Sequence, residues 1–136
     1  MRANMHKDVN HITGQILDAG IKIHNDLGPG LFESVYEQVL EYELGKRGFY
    51  IQKQKAILVI YDALKMQEGF RADLIVENLV IVEIKSVENL SPMHFKQLYT
   101  YLKLSNIANG ILINFNVHLI KDGFHRLFNN YVKRYI

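Results

Sequence analysis

Four charged side chains in residues 69–85 have the types and spacing for phosphate or metal chemistry. The even-numbered positions of this segment are mostly apolar, whereas the odd-numbered positions include Arg71, Asp73, Glu83 and Lys85. Because successive side chains of a strand point to opposite faces, the pattern predicts a β-hairpin with one core face and one charged face. Ala72 and Leu74 are expected on the core face together. Since both strands must turn their apolar sets to the core, the connecting loop must hold an odd number of residues.

The length of that loop decides which charges meet. A three-residue loop at 77–79 places Asp73 opposite Glu83, about 5 Å apart between Cβ atoms. Opposed like charges destabilise a sheet, and a hard divalent cation such as Mg²⁺ would offset the repulsion because it prefers carboxylate oxygens. Lys85 would then reach a water or a phosphate on that cation. A loop of one or five residues instead pairs Arg71 with Glu83, or Asp73 with Lys85, as ordinary surface ion pairs.

Periodic apolar residues on both sides of the hairpin predict the elements that position it. Steps of three and four predict helices over 9–27, over 31–47 and from Ser91-Pro92 to about 104. Period-two patterns predict strands over 49–61, 69–76, 80–85 and 110–115, and a hairpin over 117–128. Residues 65–67 suit a short strand or a turn, and the C-terminal residues suit a short helix or a frayed end. The order predicts an α/β (α+β) fold, a mixed sheet with helices on its faces.

Length and composition exclude several classes of protein. The chain has 136 residues, which predicts a single domain over 1–136. It has no cysteine, so disulfides, thiolate zinc sites and cysteine nucleophiles are excluded, and a cytoplasmic location is the default expectation. The net charge of +2 is too balanced for a basic nucleic-acid arm. No run of apolar residues is long enough to predict a transmembrane helix.

Four pieces of the sequence, taken in order, resemble the PD-(D/E)XK nuclease superfamily. The string GLFESVY at 30–36 further resembles the signature of the small GxxExxY protein family, in the RecB-type branch of that superfamily. The likeness spans about residues 11–128. The four pieces are a helix with Glu33, a strand with Asp73, the segment Glu83-Ile84-Lys85, and a helix with Gln97 and Tyr101.

The resemblance implies both a fold and an activity. The fold is a restriction-endonuclease-like core of helix, three antiparallel strands, helix and strand. The activity is Mg²⁺-dependent hydrolysis of DNA phosphodiester bonds, with Mn²⁺ as a substitute. Asp73 and Glu83 would be metal ligands, Glu33 would hold the metal directly or through water, and the Ile84 carbonyl would add a further ligand. Lys85 would orient or deprotonate the attacking water and stabilise charge on the phosphate.

Gln97 is a further catalytic candidate, and Arg71, His94 and Tyr101 are candidates for substrate binding, each with an alternative. Gln97 and Tyr101, on one helix face, would contact the substrate backbone or orient the metal ligands. Arg71 would grip phosphate as a planar fork or form an ion pair with Glu83. His94 would line the site or be a surface or packing histidine.

Outside these candidates, other polar residues have simpler interpretations. Glu37 and Glu41 continue the four-residue spacing of Glu33 and predict a solvated stripe. His24, near the end of the first predicted helix, suits the helix dipole. No two histidines have the close spacing of a zinc site.

Three functions therefore compete at this point. The first is a metal-dependent deoxyribonuclease. The second is a catalytically inactive module of the same fold that binds nucleic acid or a protein partner. The third is a structural homo-oligomer whose charged hairpin face is solvated. With a charge of +2 the affinity for duplex DNA would be modest and salt-dependent, so a partner or a second copy could supply binding surface.

Overall fold

Three helices and five strands make up the part of the chain that the computed structural model describes, residues 8–129. The predicted order of helices and strands is confirmed, and the predicted C-terminal short helix or frayed end lies outside the described residues. The elements are α1 (Val9–Leu27), α2 (Glu33–Lys46), β1 (Ile51–Tyr61), β2 (Leu64–Val76), β3 (Val80–Lys85), α3 (Pro92–Ser105), β4 (Asn109–Asn114), a 3₁₀ turn (Ile120–Gly123) and β5 (Phe124–Phe128).

The five strands form one mixed sheet in the order β1-β2-β3-β4-β5. Neighbouring strands are antiparallel except β3 and β4, which are parallel. A parallel pair requires a crossover connection, and α3 supplies it. Residues 65–67, which suited a strand or a turn, lie inside the long strand β2.

Each face of the sheet is covered by helix. On one face, α1 and α2 bury a cluster of apolar side chains that includes Leu74, Val76, Val82 and Ile84. On the other face, α3 covers a smaller cluster. Because β3 lies between both layers, every side chain from Val80 to Ile84 is buried. Within residues 8–129, no helix is both long and apolar enough to cross a membrane.

The predicted hairpin over 117–128 is wrong. Only residues from Phe124 onward form a strand, and β5 pairs with β4 instead of with residues 117–119. The reason is that the intervening segment packs on α1. The Val117 carbonyl lies 2.8 Å from Nε2 of the buried His24, and Ile120 is buried in the larger cluster. This segment therefore packs on α1 and does not pair with β5 as a strand.

Candidate active site

The β2–β3 hairpin has the register that brings the two acidic side chains together. Val76 pairs with Val80, so the loop holds the three residues 77–79. The predicted odd number is confirmed, and of the open alternatives the three-residue loop is the one formed. Paired residues run on to Leu74 and Val82. One step further along the same register, Asp73 lies opposite Glu83.

Asp73 and Glu83 replace the next backbone hydrogen bonds of the ladder with bonds from their carboxylates. The Asp73 backbone N–H donates to Glu83 Oε2 at 2.9 Å. The Ile84 backbone N–H donates to Asp73 Oδ2 at 2.8 Å. Each carboxylate is thereby fixed to the opposite strand, and the two strands separate at the point where the acidic groups lie.

The alternation of β2 breaks at Asp73, which corrects the prediction that Ala72 and Leu74 share a face. Leu74 is buried under α1 and α2, whereas Ala72 is buried in the cluster under α3. Across the pair, Gln54 of β1 stands at the position opposite Asp73 and has a φ of 51°, a left-handed conformation. This local distortion of both strands moves Ala72 to the α3 side.

Burial and mutual repulsion shift the protonation of the acidic pair. Glu83 is only 7% exposed. Burial, followed by the charge of Asp73, raises the pKa of Glu83 to about 8. Burial also raises the pKa of Asp73, opposed by the N–H of Ile84. Without a bound cation the folded chain therefore favours protonation of this pair more than water does.

Lys85 follows this pair at the end of β3. Its side chain is half-buried, and its positive charge lowers the pKa of both Asp73 and Glu83. Within the described part of the chain it forms no ion pair. Its carbonyl accepts a hydrogen bond from the Phe115 N–H at 2.9 Å, which ties the strand end to the sheet. The ammonium group is thus positioned near the carboxylates and not neutralised by either.

Glu33 lies at the N-terminus of α2 and is held away from the pair. Its Oε2 accepts a hydrogen bond from the Ser86 backbone N–H at 3.2 Å. Its charge still raises the pKa of Asp73, so the two groups are electrostatic neighbours. Across residues 8–129, however, no three His, Asp or Glu side chains converge into a metal-binding group. The structure brings Asp73 and Glu83 together and leaves the third predicted carboxylate at the Ser86 backbone.

Two side chains of the site were not among the sequence candidates, Glu37 and Gln54. The Gln54 Nε2 donates to Glu37 Oε1 at 2.7 Å and to Asp73 Oδ1 at 3.2 Å. Burial, and to a lesser degree the charge of Asp73, raises the pKa of Glu37. The predicted solvated stripe is therefore wrong for Glu37. Its position one helical turn after Glu33 was the sequence feature that could have identified it as part of the site. Glu41 forms an ion pair with Lys53 at 3.4 Å.

The α3 helix places Tyr101 against the same site. The Tyr101 ring stacks on Phe70 of β2, with centroids 3.9 Å apart. Its pKa is raised by burial and then by the charges of Glu83 and Asp73, so its hydroxyl lies within their electrostatic range. Gln97, one turn earlier, is exposed.

Arg71 and His94 are engaged elsewhere. Arg71 donates to the Gln54 carbonyl at 3.0 Å and forms an ion pair with Glu68. The alternative ion pair with Glu83 is not formed. His94 Nδ1 accepts a hydrogen bond from the Ser91 backbone N–H at 3.1 Å and so caps the start of α3.

The donor chemistry of the acidic pair fits a hard divalent cation. Two adjacent carboxylates supply oxygen ligands of the type that Mg²⁺ prefers. The raised pKa of Glu83 reflects a site where burial and a neighbouring charge oppose ionisation, and a bound cation would remove that opposition. The pair supplies two carboxylates, so further ligands would come from backbone carbonyl, water or substrate.

Comparison with known protein families gives one match. A sequence model described as the PD-(D/E)XK nuclease superfamily matches residues 10–127. The match runs from the first turn of α1 almost to the end of β5, and it includes every residue of the acidic pair and its neighbours. No curated protein and no solved structure matches the chain.

Proposed function

The chain belongs to the PD-(D/E)XK nuclease superfamily, and from that premise we propose that it is a metal-dependent deoxyribonuclease. The observation that carries the proposal is the buried Asp73–Glu83 pair with Lys85 beside it. Buried like charges on opposed strands destabilise a fold, so a cation-binding role gives the arrangement a physical reason. The GLFESVY string supports membership of the GxxExxY family and of the RecB-type branch as part of the same proposal.

Asp73, Glu83 and the Ile84 carbonyl are the groups that would hold Mg²⁺, with Mn²⁺ as a substitute. Glu33 would join directly or through water from its place at Ser86. A bound divalent cation supplies Lewis-acid polarisation of the phosphate and a lowered pKa for water. The superfamily generally uses divalent metals, and Mg²⁺ is the ion proposed here for this chain.

The remaining residues would orient groups or transfer protons. Lys85, which no carboxylate neutralises, would orient or deprotonate the attacking water and stabilise charge on the phosphate. The Gln54 amide holds Asp73 and Glu37 in place, which makes it a positioning residue. Gln97 and Tyr101 of α3 would contact the substrate backbone.

Two more predicted contacts belong to the proposal. Arg71 would have to break its ion pair with Glu68 before it could bind phosphate. That ion pair is exposed to solvent and therefore weak. His94, fixed as a cap of α3, would line the site through the rest of its ring.

The test is nicking of plasmid DNA with Mg²⁺ or Mn²⁺. We expect Lys85→Met to lower the rate about 10²- to 10⁴-fold, the range of a lost proton-transfer group, and Glu83→Gln to lower it at least as much. Glu41→Gln and Lys103→Ala change the same residue types outside the site and should retain full activity. Circular dichroism should show that all four variants are folded. Cleavage that persists in both Lys85→Met and Glu83→Gln would remove the catalytic assignment.

One observation favours the second candidate, a nuclease-fold module that binds nucleic acid or a protein without cleaving. Glu33 does not converge with the pair, so the described residues offer only two grouped carboxylates. That candidate predicts salt-sensitive DNA binding in every variant and no nicking in any. A structural homo-oligomer predicts neither. A cytoplasmic location and a single domain over 1–136 stay predictions.

A further inference from the structure

Phe32 is the most exposed of the large apolar side chains in the described residues, at 83%. It occupies the position just before α2 and directly precedes Glu33. A single exposed apolar side chain is ordinary on a protein surface, and this one is of interest because it lines a pocket together with Glu33.

Hydrogen bonds from the side chains of Tyr36 and Ser86 hold the backbone of the loop that carries Phe32. The Tyr36 hydroxyl donates to the Gly28 carbonyl at 2.6 Å and accepts from the Leu31 N–H at 3.2 Å. Ser86 Oγ donates to the Leu31 carbonyl at 2.6 Å. The Phe32 ring is therefore presented from a fixed backbone, and little ordering would be needed when it binds a partner.

A pocket of about 620 Å³ lies beside this ring. That volume is within the range of small-molecule sites. Both apolar and polar residues line the pocket. The backbone N–H of Asn116 bonds to Asn114 Oδ1, and its side-chain amide forms no hydrogen bond within residues 8–129. The lining residues are Gly30, Leu31, Phe32, Glu33, Ser34, Ser86 and Asn116.

Two residues of the pocket wall are neighbours of the acidic site. Glu33 belongs to its wall and also raises the pKa of Asp73. Ser86 belongs to its wall and is the chain neighbour of Lys85. A group bound in the pocket would thus lie beside residues that adjoin the proposed site.

We propose that Phe32 and this pocket form a subsite for an unpaired nucleobase of the substrate strand. The occupant is a neutral ring and not a phosphate, because the Glu33 carboxylate in the wall repels anions. Hydroxyl and amide groups of Ser34 and Asn116 favour a ring with a hydrogen-bonding edge over a purely apolar protein side chain. The inference rests on the proposed function and specifies its substrate class. Strands with unpaired nucleotides are preferred, since bases stacked inside a duplex cannot reach the ring.

The test is binding of labelled oligothymidine and of a duplex of the same length, by fluorescence anisotropy without divalent cations. We expect Phe32→Ala to weaken single-strand binding about 10- to 100-fold, the usual effect of losing one base–aromatic stack, with duplex binding changed less than about twofold. Phe32→Tyr should restore the affinity and Phe32→Leu should not. Tyr42→Ala, at an exposed aromatic further along α2, is the matched control.

A spectroscopic readout isolates the stacking itself. The chain has no tryptophan, so Phe32→Trp introduces a single indole. Its fluorescence should be quenched by oligothymidine and not by an abasic strand of the same length. Equal quenching by both strands, or equal single-strand affinity of Phe32→Ala and the wild type, would overturn the subsite.

Failure of this inference is separable from failure of the proposed function. Metal-dependent nicking together with an unquenched indole would leave the nuclease and remove the subsite. Quenching by oligothymidine in a protein that never cleaves would leave the subsite and favour the inactive binding module.

Discussion

Glu83 is the residue whose environment says most about this protein. Its carboxyl group is buried, lies opposite a second acid and accepts a backbone hydrogen bond, and its pKa rises to about 8. Such a group does not stabilise the fold when it is deprotonated, because burial disfavours the charged carboxylate. It is well suited to bind a cation whose charge reverses that preference.

The pH dependence of stability follows from the direction of this shift. A pKa raised from 4.5 to about 8 means that the folded chain holds the proton more tightly than the unfolded one. The resulting stabilisation is complete below the unfolded value and is lost as pH rises through about 8. In EDTA we expect the Tm of the wild type to fall between about pH 5 and about pH 8, measured by calorimetry.

Variants and metal provide the controls for that prediction. Glu83→Gln cannot ionise and should lose most of the fall in Tm. Asp73→Asn removes one cause of the shift and should reduce it in part. At the alkaline end, Mg²⁺ or Mn²⁺ should raise the Tm of the wild type and not of Glu83→Gln, because binding requires the deprotonated pair. An unchanged slope in Glu83→Gln would contradict the assignment.

At the scale of elements, the packing of α3 on the sheet positions Gln97 and Tyr101, the side chains proposed to contact the substrate. α3 crosses β4 closely at Gly110, where an added Cβ would lie 3.2 Å from methyl groups of Leu98 and Leu102. A larger side chain there displaces these leucine methyl groups, which belong to the same helix as Gln97 and Tyr101. The glycine therefore couples helix position to the proposed site.

Two glycine substitutions test this coupling. Gly110→Val should lower the free energy of unfolding by about 1–3 kcal/mol through overpacking and should weaken nuclease activity as α3 moves. Gly14→Ala is the matched control, because nothing lies within 4 Å of its added Cβ in α1. We expect it to stabilise by about 0.5–1 kcal/mol. Urea denaturation measures both, and an unchanged stability in Gly110→Val would show that α3 is not closely seated.

For the whole molecule, the distal part of the β1–β2 hairpin is the largest feature that the core leaves uncovered. β1 is an edge strand, so its outer backbone groups have no partner strand within residues 8–129. Unpaired edges with apolar side chains favour association with another strand. A second copy is the occupant we expect, since the near-neutral charge of +2 offers little repulsion between chains. The exposed apolar residues are Leu58, Ile60, Tyr61, Leu64 and Met66.

The oligomeric state checks this expectation. Light scattering after size exclusion should report a dimer for the wild type and a monomer for the double variant Ile60→Lys/Leu64→Lys. Leu119→Lys, which places a lysine at another exposed leucine, should leave the dimer intact. A monomeric wild type at high concentration would rule out self-association through this hairpin.

Local sequence patterns were sufficient to predict much of the fold. The helical spacing in 9–27 and the period-two segments in 69–85 predicted α1 and the hairpin, because amphipathic periodicity follows directly from which face is buried. The parity argument also predicted the odd loop that sets Asp73 opposite Glu83. The hairpin predicted over 117–128 was wrong because part of that segment packs on α1. This is a long-range contact, and a local sequence pattern does not reveal it.

Sequence alone identified the groups proposed to carry the chemistry of this protein: two acids and a lysine on one hairpin, in the order of a PD-(D/E)XK nuclease. Only the tertiary structure decided how those groups are arranged. It moved Ala72 to the α3 face, held Glu33 on the Ser86 N–H and brought Gln54 and Glu37 to Asp73. The physical reason is that residue types and their spacing along a strand are local, whereas the partner of each side chain depends on which distant strand or helix lies beside it.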